Sequence, residues 1–236
     1  MNTTNVTTMK NMFASCQNLA TIDVSNFDTS KVQNMSRMFG QCLSLESLSL
    51  SNFNTSSVES MDYMFFAGSK ITELDLSNFD TSNVKTMLSM FNFCESLTTL
   101  NISSFNTSKV TDMSRMFAYC EKLKTICASP SFNTDEVKKD DDMFVSCTSL
   151  EGSNGTKYDS SHVGKEYARI DGLNSKPGYF STPTINYQVC IWGIGQDKCG
   201  VDGSDTANLT FGPATGETSQ CLDVDGHHEH CIHNES

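Results

Sequence analysis

Apolar residues return along this chain with a long period. Phe13, Phe39, Phe65, Phe91 and Phe117 recur at a constant step of 26, and Phe144 follows after 27. A period in this range marks stacked supersecondary units, none of which can bury its apolar edge alone. Within one unit the spacing changes. Val84, Met87, Met90, Phe91 and Cys94 fall at i, i+3, i+6, i+7 and i+10, one stripe of a helix. Thr81 and Ser82 stand just ahead, where side-chain oxygens can cap the first free N–H groups. Leu97, Leu100 and Ile102 then predict a short strand, the last two spaced to face inward together. Phe105 closes the unit before the next Asn-Thr-Ser turn. Over residues 6–150 this pattern predicts a right-handed solenoid. Its strands are expected around Ile22, Leu48, Leu74, Leu100 and Ile126.

The units are not equally regular. In the third, Gly68 and Ile71 replace the Cys and Leu columns. The last carries Pro130, one inserted residue and the acidic run Asp140-Asp141-Asp142, which suits a solvated end of a stack. Met1 to Val6 aligns with Phe27 to Val32, so the register opens inside a unit. The chain therefore reads as a piece of a longer protein. After Leu150 the composition shifts. Tyr158, Tyr167, Ile170, Tyr179 and Phe180, set among turn-forming glycines, read as a closing segment over the last unit. From residue 183 onward, Ile185–Ile194 and Leu209–Phe211 read as strands of a third region. The expected domains are 1–150 (repeats), 151–182 (cap) and 183–236 (a mainly β extension, itself incomplete).

The recurring Met-Phe-x-x-Cys-x-x-Leu-x-x-Leu-x-Leu-Ser-x-Phe-x-Thr-Ser resembles the 26-residue repeat of the BspA-like leucine-rich-repeat bacterial surface proteins. It covers residues 1–150 in six copies. The resemblance implies a leucine-rich-repeat solenoid, with a short parallel strand and a helical turn in each repeat. It also implies a cell-surface or secreted location and binding to host, matrix or other cell-surface proteins. The segment after Leu150 is similar to the family's closing segment. The motifs Tyr-Gln-Val-Cys-Ile-Trp-Gly-Ile-Gly and Leu-Thr-Phe-Gly-Pro-Ala resemble a further surface-protein domain of unknown function.

Composition narrows the partners. A net charge of −12 over 236 residues argues against nucleic acid and against an anionic membrane surface. No apolar run approaches the roughly 20 residues that span a bilayer. Of the ten cysteines, Cys16, Cys42, Cys94, Cys120 and Cys147 share one repeat column and are expected to be buried and mostly unpaired. Outside the repeats, Cys190–Cys199 and Cys221–Cys231 could form disulfides. Alternatively Cys221, His227, His230 and Cys231 could hold zinc, although their spacing fits no standard zinc motif. No cofactor is otherwise implied.

Catalysis finds no support. The sequence has no nucleophile elbow, phosphate-binding glycine loop or His-Glu-x-x-His, and the repeats contain no histidine. Two surfaces are candidates for binding. One is aromatic, with Tyr63, Phe66, Phe93 and Tyr119 lying outside the main apolar stripe. The other is the polar strand side, where Glu73 and Asp75 are the acidic positions. The reading is a non-catalytic surface protein for adhesion or protein recognition. The alternatives are a spacer presenting a distal domain and a metal-binding C-terminal domain on a repeat stalk.

Overall fold

The structure, a computed structural model, describes residues 2–182 and the backbone of three strands beyond them, Thr210–Phe211, Ser219–Val224 and His227–His233. The chain divides into two compact units, residues 1–184 and 185–236.

In the first unit the repeats meet through two sets of backbone contacts. One set contains strands. β1 (Thr99–Asn101) pairs in parallel with β2 (Thr125–Cys127), and β2 pairs in parallel with β3 (Phe180–Ser181). Leu100 lies opposite Ile126, as the period requires, and Asp75 makes a single parallel bridge to Asn101. The strands expected around Ile22 and Leu48 are not formed, and Leu74 lies beside that single bridge. In three repeats an Asx turn follows this segment. The carboxylates of Asp23 and Asp75 and the amide oxygen of Asn101 accept the N–H two residues on, at Ser25, Ser77 and Ser103. Such Asx turns offer the backbone an alternative to the ladder.

The second set replaces the expected helices. No α-helix is formed among the described residues. Thr8, Asn34, Ser60, Thr86, Asp112 and Lys139 are instead linked by successive parallel bridges, one per repeat. From each bridge onward, alternate residues donate their N–H to the following repeat. Met35, Arg37, Phe39 and Gln41 donate to the carbonyls of Ser60, Asp62, Met64 and Phe66. The same four bonds recur at every junction from Met9 to Val145, at 2.6–3.1 Å. Between them run i→i+3 turns such as Met38 N–H to Met35 O and Cys42 N–H to Phe39 O. Two residues per repeat are left-handed: Arg37 and Gln41, Tyr63 and Ala67, Ser89 and Phe93, Arg115 and Tyr119, with φ between 54° and 62°. Each left-handed non-glycine residue costs about 1–2 kcal/mol. It also turns its peptide group out of the helical direction, so that N–H and C=O bond to neighbouring repeats. The i, i+3 stripe is genuine, but it belongs to consecutive turns rather than to a helix.

Two side-chain columns brace these contacts. Thr29, Thr55, Thr81 and Thr107 are buried, and each hydroxyl donates to a carbonyl of the following repeat at 2.6–2.9 Å. The Thr81 oxygen also accepts from Asn106 N–H at 2.8 Å, so Thr81 ties two repeats together instead of capping a helix. The Phe column forms a ring stack from Phe13 to Phe144, with centroids 5.4–6.0 Å apart and planes within 15° of parallel. From Phe39 to Phe144 these rings are buried, and Met35, Met61, Met87 and Met113 are buried beside them.

Residues 151–182 close the last repeat. Val163 O accepts Phe144 N–H at 2.9 Å, and the Tyr158 hydroxyl accepts Ser146 N–H at 3.1 Å. The fully buried Tyr179 ring meets Phe144 edge-on at 5.3 Å. Its hydroxyl accepts Asp159 N–H at 3.0 Å and donates to His162 O at 3.0 Å. Burial pushes the Tyr179 hydroxyl up to about 12. Asp171 organises this segment. Its buried carboxylate accepts from Asn154 N–H, Thr156 N–H, the Thr156 hydroxyl and Gly178 N–H at 2.6–3.1 Å. A side chain at Gly152 would collide with the Gly178 carbonyl and with Asp171. In the second unit, β4 (Thr210–Phe211), β5 (Ser219–Val224) and β6 (His227–His233) form an antiparallel sheet in that order.

Candidate interaction surface

Apart from the buried Ser89, the residues of the two left-handed columns are at least partly exposed, and one stretch of them is aromatic. Tyr63 occupies the first column, while Phe93 and Tyr119 occupy the second. Phe66 lies one residue before the second column in its own repeat. The structure brings all four together in one row. Tyr63 and Phe66 meet edge to face at 5.6 Å, and Phe66 and Phe93 do so at 6.0 Å. Phe93 and Tyr119 stack face to face at 4.4 Å with planes 1° apart. All four are half-buried. The Arg37 guanidinium extends the row, lying 4.5 Å from the Tyr63 centroid. That distance is within the range of a cation–π contact.

Sequence reasoning missed Arg37 and also missed Asn92. Asn92 is 5 % exposed and follows Phe91 in the second set of contacts. Its amide nitrogen reaches the Ser89 hydroxyl at 3.4 Å, while Oδ1 has no partner. The signal was a lone amide in a column otherwise held by Ala14, Gly40, Phe66, Ala118 and Val145.

Glu73 and Asp75 flank the buried Leu74 and are both exposed. Hydrogen bonds from Ser77 hold the Asp75 carboxyl below the usual carboxylate range. Nearby exposed positions, from Thr21 and Asp23 through Ser47 and Ser49 to Thr99 and Asn101, carry short polar side chains. A separate groove of about 440 Å³ lies against the closing segment, floored by Phe132, Ile170 and Phe180 and rimmed by Lys165, Arg169 and Lys176.

The thiol column is chemically quiet. Cys42, Cys94, Cys120 and Cys147 are free and buried. They donate to the carbonyls of Phe13, Phe65, Phe91 and Phe117 at 2.9–3.2 Å. Burial pushes Cys42 up to about 11 and Cys147 up to about 12, and raises Cys120 well above the ordinary thiol value. None of these three is a ready thiolate nucleophile. Cys16 departs from the expectation: it is exposed, and among the described residues no repeat packs on that side of its own. Cys190 and Cys199 lie outside the described residues. The β5–β6 register sets Cys221 opposite Cys231, and His227 and His230 fall within β6. For these four only the backbone is described.

The contacts thus define a repeat protein whose 26-residue units join through backbone and side-chain ladders. The chain belongs to the family described as Mycoplasma protein of unknown function, DUF285, whose pattern matches residues 1–73 and, a second time, residues 66–176. No curated protein and no solved structure matches it. Among the described residues, no helix is long and apolar enough to cross a membrane.

Proposed function

We propose that this protein is a non-catalytic, cell-surface recognition protein, built as a BspA-like leucine-rich-repeat solenoid, that binds other proteins through its aromatic row. The observation that supports this is the contiguity of Tyr63, Phe66, Phe93 and Tyr119, half-buried on an outward surface. Aromatic rings remove much apolar area from water and lose little side-chain freedom on binding. Glu73 and Asp75 act differently, steering a basic partner with an effect that salt weakens.

Binding to a panel of immobilised matrix glycoproteins and to intact cells tests this reading. Tyr63, Phe66, Phe93 and Tyr119 are changed singly to Ser and compared with Glu73→Ala and Asp75→Ala. Folded aromatic variants are expected to lose most binding and the acidic ones to lose little. The reverse result would move recognition to the strand side.

One observation favours a spacer as the second reading. Phe93 and Tyr119 cover one another's faces, so part of the aromatic surface is already used within the row. A spacer predicts that none of the six substitutions changes attachment.

A further inference from the structure

The Thr column holds one kind of backbone. The hydroxyls of Thr29, Thr81 and Thr107 donate to the carbonyls of Asn54, Asn106 and Asn133 and accept the N–H of the same residues, all at 2.6–2.9 Å. Thr55 donates to Asp80 O at 2.9 Å. The residue held always follows a buried Phe: Phe53, Phe79, Phe105 or Phe132. What the column grips is therefore a Phe-Asn or Phe-Asp pair.

Thr134 stands in the same column, displaced only by the one inserted residue. It is half-buried, and among the described residues its hydroxyl has no partner. It lines the groove of about 440 Å³ against the closing segment. That volume suits one large side chain with its backbone. The lining is apolar at Phe132 and Phe180, whose rings meet edge-on at 5.0 Å, and at Leu173, which is 45 % exposed. Its charged groups are unequally engaged. Lys165 donates its ammonium to Val137 O, and Glu166 lies 4.0 Å from His162. Arg169 and Lys176 pair with no carboxylate among the described residues, although the chain carries a net charge of −12. Asp135 is the remaining acid of the lining.

We propose that this groove binds an extended segment of a partner protein in which a large apolar residue, Phe above all, is followed by a single acidic one. Thr134 takes the C=O and N–H of the acidic residue, as Thr81 takes those of Asn106. The apolar side chain lies against Phe132, Phe180 and Leu173, and the carboxylate is met by Arg169 and Lys176. Charge-assisted hydrogen bonds of that kind are roughly twice as strong as neutral ones. A run of acids fits worse, because Asp135 and Glu166 repel it. A second copy of this chain does not supply the segment: Phe53, Phe79 and Phe105 are buried, and the residues after them are already held by Thr. The groove shares no residue with the aromatic row, so the two sites are tested separately.

The probe is a fluorescein-labelled peptide Ser-Asn-Phe-Asp-Thr-Ser, the sequence of residues 77–82, titrated with the full chain and read by fluorescence anisotropy. Saturable binding with Kd below about 1 mM is expected. A peptide with Ser in place of Phe, or Lys in place of Asp, should bind roughly tenfold more weakly or worse. In the protein, Thr134→Val should weaken binding roughly fivefold, and so should Arg169→Gln combined with Lys176→Gln, with the urea midpoint unchanged. A peptide with Asn in place of Asp should bind the Gln variant and the parent chain alike, a result that loss of structure would not give. No saturation below about 1 mM overturns the proposal, as does equal binding of the Lys peptide. Full-strength binding to both protein variants overturns it too. Loss of peptide binding through Tyr119→Ser, with Thr134→Val unaffected, would place the peptide on the aromatic row and overturn it as well.

Discussion

The repeats and the segment that closes them bury their apolar groups by opposite means. In the repeats, one small set of contacts recurs: four backbone bonds, one Thr bridge and one Phe ring per junction. In residues 151–182 each contact occurs once, around Asp171, Tyr179 and Gly152. Repetition tolerates a defect. The third repeat has Gly68 in the thiol column, and Ile71 reaches beside it, its Cδ1 3.2 Å from where a Cβ at Gly68 would sit. Phe65 and Phe91 in the same neighbourhood are still fully buried. A unique contact has no such neighbour to compensate for it.

This contrast meets its most severe test at the ring stack. Phe91 is fully buried with rings 5.7 Å away on both sides, so Phe91→Ala should cost about 3–5 kcal/mol in urea unfolding. Phe13→Ala, at the open edge, should cost clearly less. A loss under about 1 kcal/mol for Phe91→Ala would show that the column is not core.

The closing segment should fail at Asp171. Asp171→Asn sets an amide NH₂ against two of the four donors, whichever way the amide is turned, and should cost about 2–3 kcal/mol. In hydrogen exchange, the N–H groups of Gly178, Asn154 and Phe144 should open first while those of Met87 and Ser89 keep their protection. Equal loss at both places would make the two regions one cooperative unit. The same residue has a pH signature. Burial raises its pKa, but the hydrogen bonds from Thr156, Asn154 and Gly178 outweigh burial and leave the carboxyl below its ordinary value. Its contribution is therefore full above the unfolded value of about 3.9 and disappears as pH falls through the lower folded value. The stability gap between wild type and Asp171→Asn should be flat from neutral pH to about 4 and shrink below it. A gap independent of pH down to about 2 would exclude the charge as its source.

A smaller effect should appear at the Thr ladder. Thr81→Val keeps the volume but strands the N–H and C=O of Asn106 without the hydroxyl, which should cost about 1–2 kcal/mol. Little or no change in the urea midpoint would mean that water or neighbouring groups replace the bridge. The smallest effect should come from the exposed Lys85–Glu59 pair, 2.6 Å apart on the surface. Lys85→Met should shift stability by under about 0.5 kcal/mol and remove whatever salt dependence the pair has.

Much of the candidate recognition surface is legible in the sequence because the period fixes neighbours. Side chains one period apart fall on adjacent repeats, so Phe93 and Tyr119 had to meet. Phe66 and Tyr63 lie near enough in their own repeat to join them. Arg37 is not legible, because its stacking on Tyr63 depends on left-handed backbone at both residues, a conformation that neither residue type announces. Cys16 breaks the rule of its column because that column is buried only where a neighbouring repeat covers it.

The repeat length, the inward columns of Phe, Met and Leu, and the polar character of the strand side are all written in the order of residues. Each follows from which side chains can leave water. Where the backbone groups bond is a different matter, settled by the folded chain. The spacing of Val84, Met87, Met90 and Phe91 serves a helix and a run of i→i+3 turns equally well. The choice between them lies with N–H groups that find their carbonyls in the next repeat rather than in their own. The end of the array was likewise decided from afar, by Val163, Tyr158 and the returning β3, because those partners become neighbours only once the chain has folded back.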